Sequence, residues 1–166
     1  MVNTVDLRRP SVLVVDDDTS LNLLLSSFLE DKGFDVISAI GVTDARHILR
    51  TVDSLDLMLL DYQLGDGVGM DLLRPEAVAS YRKSVPVIMV SANEAPEFLE
   101  ECFACGVNDY IIKPVNLSLL ALKVDALIKT INMQHLIEQQ NVELEQFKRN
   151  VEHEEKIAKS TYKYLL

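Results

Sequence analysis

Five short apolar runs, at 11–15, 34–38, 57–60, 86–90 and 110–112, alternate with segments whose apolar residues recur at helical spacing. This alternation constrains the chain more than any other feature. Runs this short read as strands buried on both faces, not as one-sided strands. The helical segments carry Leu21, Leu24, Leu25, Phe28 and Leu29; then Ala45, Ile48, Leu49 and Val52; then Phe98, Leu99, Cys102 and Phe103; then Leu117, Leu120, Val124 and Leu127. Gly33 and Gly106 are placed to end helices. A further helix is expected after Gly65-Asp66-Gly67, kinked or restarted by Pro75. The pattern predicts an α/β fold, a doubly wound five-stranded parallel sheet covered on both faces.

In such sheets ligands bind beyond the carboxyl ends of the strands. Asp16, Asp61, Ser91 and Lys113 each fall at such an end, so the singular polar residues converge on one edge. Asp16, Asp17 and Asp61 can form an all-oxygen site for Mg²⁺, which keeps several waters and needs few protein ligands. Lys113 supplies a fixed cation, and the Ser91 hydroxyl can hydrogen-bond a phosphoryl oxygen. An acceptor carboxylate, a divalent cation and donors for the equatorial oxygens are what phosphoryl transfer requires.

The net charge of −10 lies almost wholly in the first 130 residues, and no basic stripe is present. Direct nucleic-acid binding is therefore not expected. No apolar run is long enough to span a membrane and no secretory leader is visible, so the expectation is a cytoplasmic protein. Cys102 and Cys105 lie near the end of a helical pattern, where the dipole does not lower a thiol pKa. They are expected to be small packed residues and not a redox pair.

At Asp16-Asp17, Asp61, Ser91 and Lys113-Pro114 the chain resembles the response-regulator receiver family of two-component signalling, whose fold is flavodoxin-like. The pattern is an acidic pair after the first strand, an Asp after the third, Ser or Thr after the fourth, and Lys-Pro after the fifth. The resemblance implies that Asp61 is the phospho-acceptor, assisted by Lys113 and Ser91. It implies that Asp17 binds Mg²⁺ directly, that Asp16 acts mainly through water, and that Gln63 offers its backbone carbonyl. Ser91 and Tyr110 would form the switch, and the Lys113-Pro114 peptide would be cis. The implied partner is a histidine kinase or phosphotransfer protein, with the chain a phosphorelay component and not itself an enzyme. The usual proline in the loop after the acceptor is absent, with Gly65-Asp66-Gly67 in its place. Gln63 and Asn93, two residues beyond Asp61 and Ser91, border the path of attacking water in this family.

Two other readings stand beside this one. A pseudo-receiver would keep the fold as a binding module without taking phosphate. A haloacid-dehalogenase-like phosphatase is suggested by Asp16-Asp17-Asp18-Thr19-Ser20, with Asp66 and Asp71 as its late acidic motif, although Ser91 and Lys113 then follow that motif instead of preceding it.

The domain organisation expected is an N-terminal tail over 1–10, a receiver over 11–130 and a helical linker over 131–166. Ile137, Leu144, Val151, Ala158 and Leu165 recur every seven residues, with Met133 and Phe147 on the companion seam and Gln140, Glu154 and Thr161 interrupting it. This predicts a modest parallel coiled coil and a homodimer, or else one amphipathic helix folded back on its own receiver. The chain stops inside the repeat, so a cut before an output domain is expected. Residues 155–166 resemble the helix that joins receivers to metal-dependent serine/threonine phosphatase domains; cyclic-dinucleotide cyclases and kinase modules use similar helices.

Overall fold

In the computed structural model the chain runs β1 (Ser11–Val15), α1 (Thr19–Asp31), β2 (Asp35–Ala39), α2 (Val42–Thr51), β3 (Leu57–Asp61), β4 (Gln63–Leu64), β5 (Gly67–Val68), a 3₁₀ turn (Gly69–Leu72), α3 (Pro75–Val78), β6 (Val87–Ser91), α4 (Pro96–Ala104), β7 (Asp109–Ile112) and α5 (Leu117–Leu165). The structure describes residues 8–79, 81 and 85–165. The first seven residues of the expected tail, and Leu166 at the end of the heptad segment, lie outside the described residues, as do 80 and 82–84.

Five strands pair in parallel in the order β2-β1-β3-β6-β7, and β4 with β5 makes a separate two-residue antiparallel ladder. Every residue of β1, β3 and β6 is buried, which is why these runs read as apolar without alternation. The chain leaves β1 for β2 on one side and returns to β3 on the other. The carboxyl ends of β1 and β3 therefore flank a topological switch point, where open α/β sheets form their crevices.

Asp18 caps α1 as its position suggests, accepting from the backbone N–H groups of Ser20 and Leu21. The buried face of α1 differs from expectation. It consists of Asn22, Leu25, Ser26 and Leu29, while Leu24 is 50 % exposed. The polar residues displace leucines because this face also serves the polar edge of the sheet: Asn22 Nδ2 donates to the carbonyls of Asp16 (3.0 Å) and Ala39 (2.9 Å), and Ser26 Oγ lies 3.0 Å from Ser38 Oγ.

The third helix is interrupted at Pro75, as the sequence suggests. A four-residue 3₁₀ turn is followed by four α-helical residues with Pro75 in the first turn, so the proline starts a new helix. The second strand lies one residue later than the sequence suggests, at Asp35–Ala39. In α4, Phe98 and Cys102 are buried, whereas Phe103 is half exposed and Cys105 faces solvent. The expectation of two packed thiols is thus corrected for Cys105, which falls at the end of the last turn, before the left-handed Gly106 (φ 98°).

The chain divides into two units, Met1–Ile128 and Lys129–Leu166. In the first, Leu120, Val124 and Ile128 form the buried stripe of α5, and Asn116 Oδ1 accepts from the Leu119 N–H at its start. Ile128, not Leu127, ends that stripe, as the i, i+4, i+8 row of a straight helix dictates. In the second, every residue from 132 to 165 is exposed. Among the described residues no helix is long and apolar enough to cross a membrane.

Candidate functional site

The carboxyl edge of the sheet gathers three carboxylates. Asp16 is the first residue after β1 and is 2 % exposed; Asp61 is the last residue of β3 and is 6 % exposed; Asp17 is open to solvent. One oxygen from each lies within 4.8 Å of the others. Lys113, directly after β7, places Nζ 3.0 Å from Asp16 Oδ2 and 3.1 Å from Asp61 Oδ2. Its ammonium is therefore shared between two buried acids, the contact to Asp16 adding to the one with Asp61. The Lys113-Pro114 peptide is cis, and the Lys113 N–H donates to the Ser91 carbonyl at 2.9 Å.

Ser91 ends β6 and is buried; its hydroxyl accepts from the Asn93 N–H at 3.2 Å. The Tyr110 side chain is buried, and its hydroxyl donates to the Asn93 carbonyl. The Tyr110 ring meets Phe98 edge-on at 6.1 Å, and Phe98 meets Tyr62 edge-on at 4.6 Å. A run of aromatic contacts thus links the residue after Asp61 to Tyr110. Gln63 is exposed and lies in the β4–β5 ladder opposite Val68.

Burial pushes the Asp61 pKa above its ordinary value, and the Asp16 charge adds to this. Hydrogen bonds from Lys113 and from the Gln63 N–H oppose the rise without cancelling it. For Lys113, burial alone would lower the pKa, but its hydrogen bonds to Asp16 and Asp61 prevail and hold it raised. The edge thus holds a fixed cation against an acidic pair in a partly desolvated setting. The donor set of three carboxylates, without histidine or thiolate, fits a hard divalent cation of the Mg²⁺ kind.

Two acids of the phosphatase-like reading are engaged elsewhere. Asp66 accepts from the N–H groups of Val42 and Thr43, and Asp71 pairs with Arg74 at 2.8 Å.

Asn22 and Gly69 escaped the sequence reading, and Asp66 entered it only through the phosphatase-like motif, not as a helix cap. Asn22 left a signal: it falls on one helical row with Leu25, Ser26 and Leu29, a polar residue where the stripe calls for an apolar one. Gly69 left none, because an ideal Cβ there would lie 2.1 Å from the Asp61 carbonyl oxygen, a contact no local pattern encodes. Asn22→Ala is expected to lower the unfolding free energy by about 1–3 kcal/mol, since the Asp16 carbonyl loses a buried donor and the Ala39 carbonyl keeps only the Asp16 N–H. Denaturant titration checks this, and an unchanged midpoint would contradict it.

Residues 12–125 match the response regulator receiver domain. Chemotaxis protein CheY of Pseudomonas aeruginosa is 29% identical over 122 residues, covering 73% of this chain and 98% of that protein. The solved response regulator receiver protein of Pseudomonas putida is 34% identical with a TM-score of 0.66, covering 72% of this chain and 98% of that one. The CheY-like receiver domain protein of Methanospirillum hungatei superposes with a TM-score of 0.69 at 27% identity, over 76% and 99% of the two chains. The match spans the whole α/β unit and the strand ends that carry the acidic cluster and Lys113: the chain belongs to the response-regulator receiver family and functions in two-component phosphorelay signalling.

Proposed function

We propose that Asp61 is the phospho-acceptor, taking a phosphoryl group from a histidine kinase or phosphotransfer protein. A carboxylate oxygen of Asp61 attacks phosphorus, the bond from phosphorus to the donor nitrogen breaks, and the donor imidazole leaves carrying the electron pair. The product is an aspartyl phosphate. The observation that carries this reading is Lys113 Nζ, held within 3.1 Å of Asp61 by a second contact to Asp16. That ammonium stays beside the acceptor as negative charge arrives. Asp16 and Asp17, with the backbone carbonyl of Gln63, would hold Mg²⁺ beside Asp61. When bound, the ion offsets charge on the phosphoryl oxygens.

Ser91 offers its hydroxyl proton to a phosphoryl oxygen, and a shift of Oγ toward that oxygen would pull on the Asn93 N–H it accepts from. Asn93 also receives the Tyr110 hydroxyl, so the two switch residues are joined through one backbone segment. A phosphoryl group brings about −1.5 to −2 charges at neutral pH, enough to reorder such hydrogen bonds. In this reading the chain is a switch that assists its own phosphorylation, not an enzyme acting on a separate substrate. Its second unit pairs with a second copy of the chain.

The test is incubation with a small acyl-phosphate donor, followed by intact mass. The expected result is a single phosphoryl adduct that forms with Mg²⁺ and not in chelator. A metal-independent adduct overturns the site assignment, and complete absence of one favours the pseudo-receiver.

A further inference from the structure

We propose that Asp66 is a positioning residue for the acceptor site, tethering the loop 63–69 to the start of α2. The helix begins at Gly41, which has no side chain to cap it. Asp66 supplies the cap from a distance: Oδ1 accepts from the Val42 N–H at 2.7 Å and Oδ2 from the Thr43 N–H at 2.9 Å. The approach is close enough to require glycine at position 41, where an ideal Cβ would lie 2.5 Å from Asp66 Oδ1.

What the tether holds is the wall of the site. An ideal Cβ at Gly65 would come 3.3 Å from Asp17 Oδ2, and one at Gly69 would strike the Asp61 carbonyl at 2.1 Å. Gly67 packs against Val42, and the Gly69 N–H donates to the Tyr62 carbonyl at 2.8 Å. The loop therefore runs close to the Asp17 carboxylate at Gly65 and to the Asp61 main chain at Gly69. With three glycines and no proline, it has little intrinsic stiffness, and a bidentate anchor at its centre restricts where the Gln63 carbonyl and the Asp17 carboxylate can sit.

This inference rests on the reading of Asp61 as a Mg²⁺-assisted acceptor. Groups that orient ligands from outside the coordination shell change metal affinity by about 10–100-fold, so Asp66→Ala is expected to weaken Mg²⁺ binding roughly tenfold and to slow adduct formation. A mere helix cap would act only through α2. The double variant Gly41→Ser with Asp66→Ala separates the two roles. Position 41 has extended backbone that serine adopts, a serine there caps α2 locally, and removal of the Asp66 carboxylate makes room for it. Mg²⁺ affinity is measured by calorimetry well below the melting temperature of each variant. The proposal expects the double variant to bind as weakly as Asp66→Ala. If either variant binds Mg²⁺ like the native chain, the tether is overturned and the acceptor reading survives. If the native chain itself neither binds Mg²⁺ nor takes phosphate, the acceptor reading fails instead.

Discussion

Asp61→Asn is expected to take no phosphoryl group from an acyl-phosphate donor and yet to melt at a higher temperature than the native chain in metal-free buffer. Both effects come from one carboxylate. Asp61 is buried beside Asp16, and its pKa is raised chiefly by desolvation. The folded protein therefore holds the Asp61 proton more tightly than the unfolded chain does. Its destabilising contribution is absent below the ordinary aspartate value, grows as pH rises from there, and is complete only above the raised folded value. Asparagine keeps the shape and removes the charge, while Lys113 retains Asp16 at 3.0 Å. The melting gap between variant and native should thus be wide at neutral pH and should close on acidification. Mg²⁺ should narrow the gap from the other side, because it binds the folded native site preferentially. Asp17→Ala should also lose the adduct. Lys113→Met should do the opposite to stability, lowering it by about 3 kcal/mol, since two buried carboxylates lose their shared cation. Intact mass and thermal melts across pH check the set. An adduct on Asp61→Asn, or a lower melting temperature for it at neutral pH, contradicts the account.

The native chain is expected to sediment at twice its monomer mass, and Leu144→Asp with Val151→Asp to return it to monomer. Ile137, Leu144, Phe147, Val151 and Leu165 are all exposed within one helix, and a single helix cannot bury its own stripe. Written as heptads, Ile137, Leu144, Val151, Ala158 and Leu165 take one seam position, and Met133, Gln140, Phe147, Glu154 and Thr161 the other. Parallel, in-register pairing then sets Glu143 of one copy beside Lys148 of the other, and Ile157 beside Tyr162, at the flanking positions that choose orientation. Lys148 is available for this: its contact within the helix, to Glu145 at 3.9 Å, is long and solvent-exposed, and such pairs contribute little. Glu154 opposes its own copy across the seam, so Glu154→Leu should tighten the dimer. Sedimentation of the native chain, of both variants and of a chain ending at Thr130 reads these outcomes. A native monomer at micromolar concentrations, or a dimer indifferent to the two aspartates, sinks the pairing.

The architecture was legible because its signals are local. Continuous apolar runs mark β1, β3 and β6, whose residues are buried on both faces, and a polar residue directly after such a run must sit at the sheet edge. That is how Asp16, Asp61 and Ser91 are placed on one edge from the sequence, with Lys113 joining them after the shorter apolar run of β7. The α1 face was misread because apolar spacing favours Leu24, whereas burial follows the polar needs of the neighbouring strand ends, which Asn22 and Ser26 serve. Pro75 marks where the third helix restarts, but it and the three glycines before it report only that the segment is irregular, not how much helix survives.

By itself the sequence determined the alternation of strand and helix, the parallel sheet, the edge where the polar residues meet, and the seven-residue repeat of the second unit. Tertiary structure alone decided that Lys113 serves Asp16 as well as Asp61, that Asp66 caps a helix beginning at Gly41, and that Gly69 leaves room for the Asp61 carbonyl. The division has a physical cause. Periodicity records how each residue's own segment meets solvent and core, and it survives in one dimension. A hydrogen bond or close approach between residues distant along the chain imposes no period on either segment, so it exists only once the fold has brought them together.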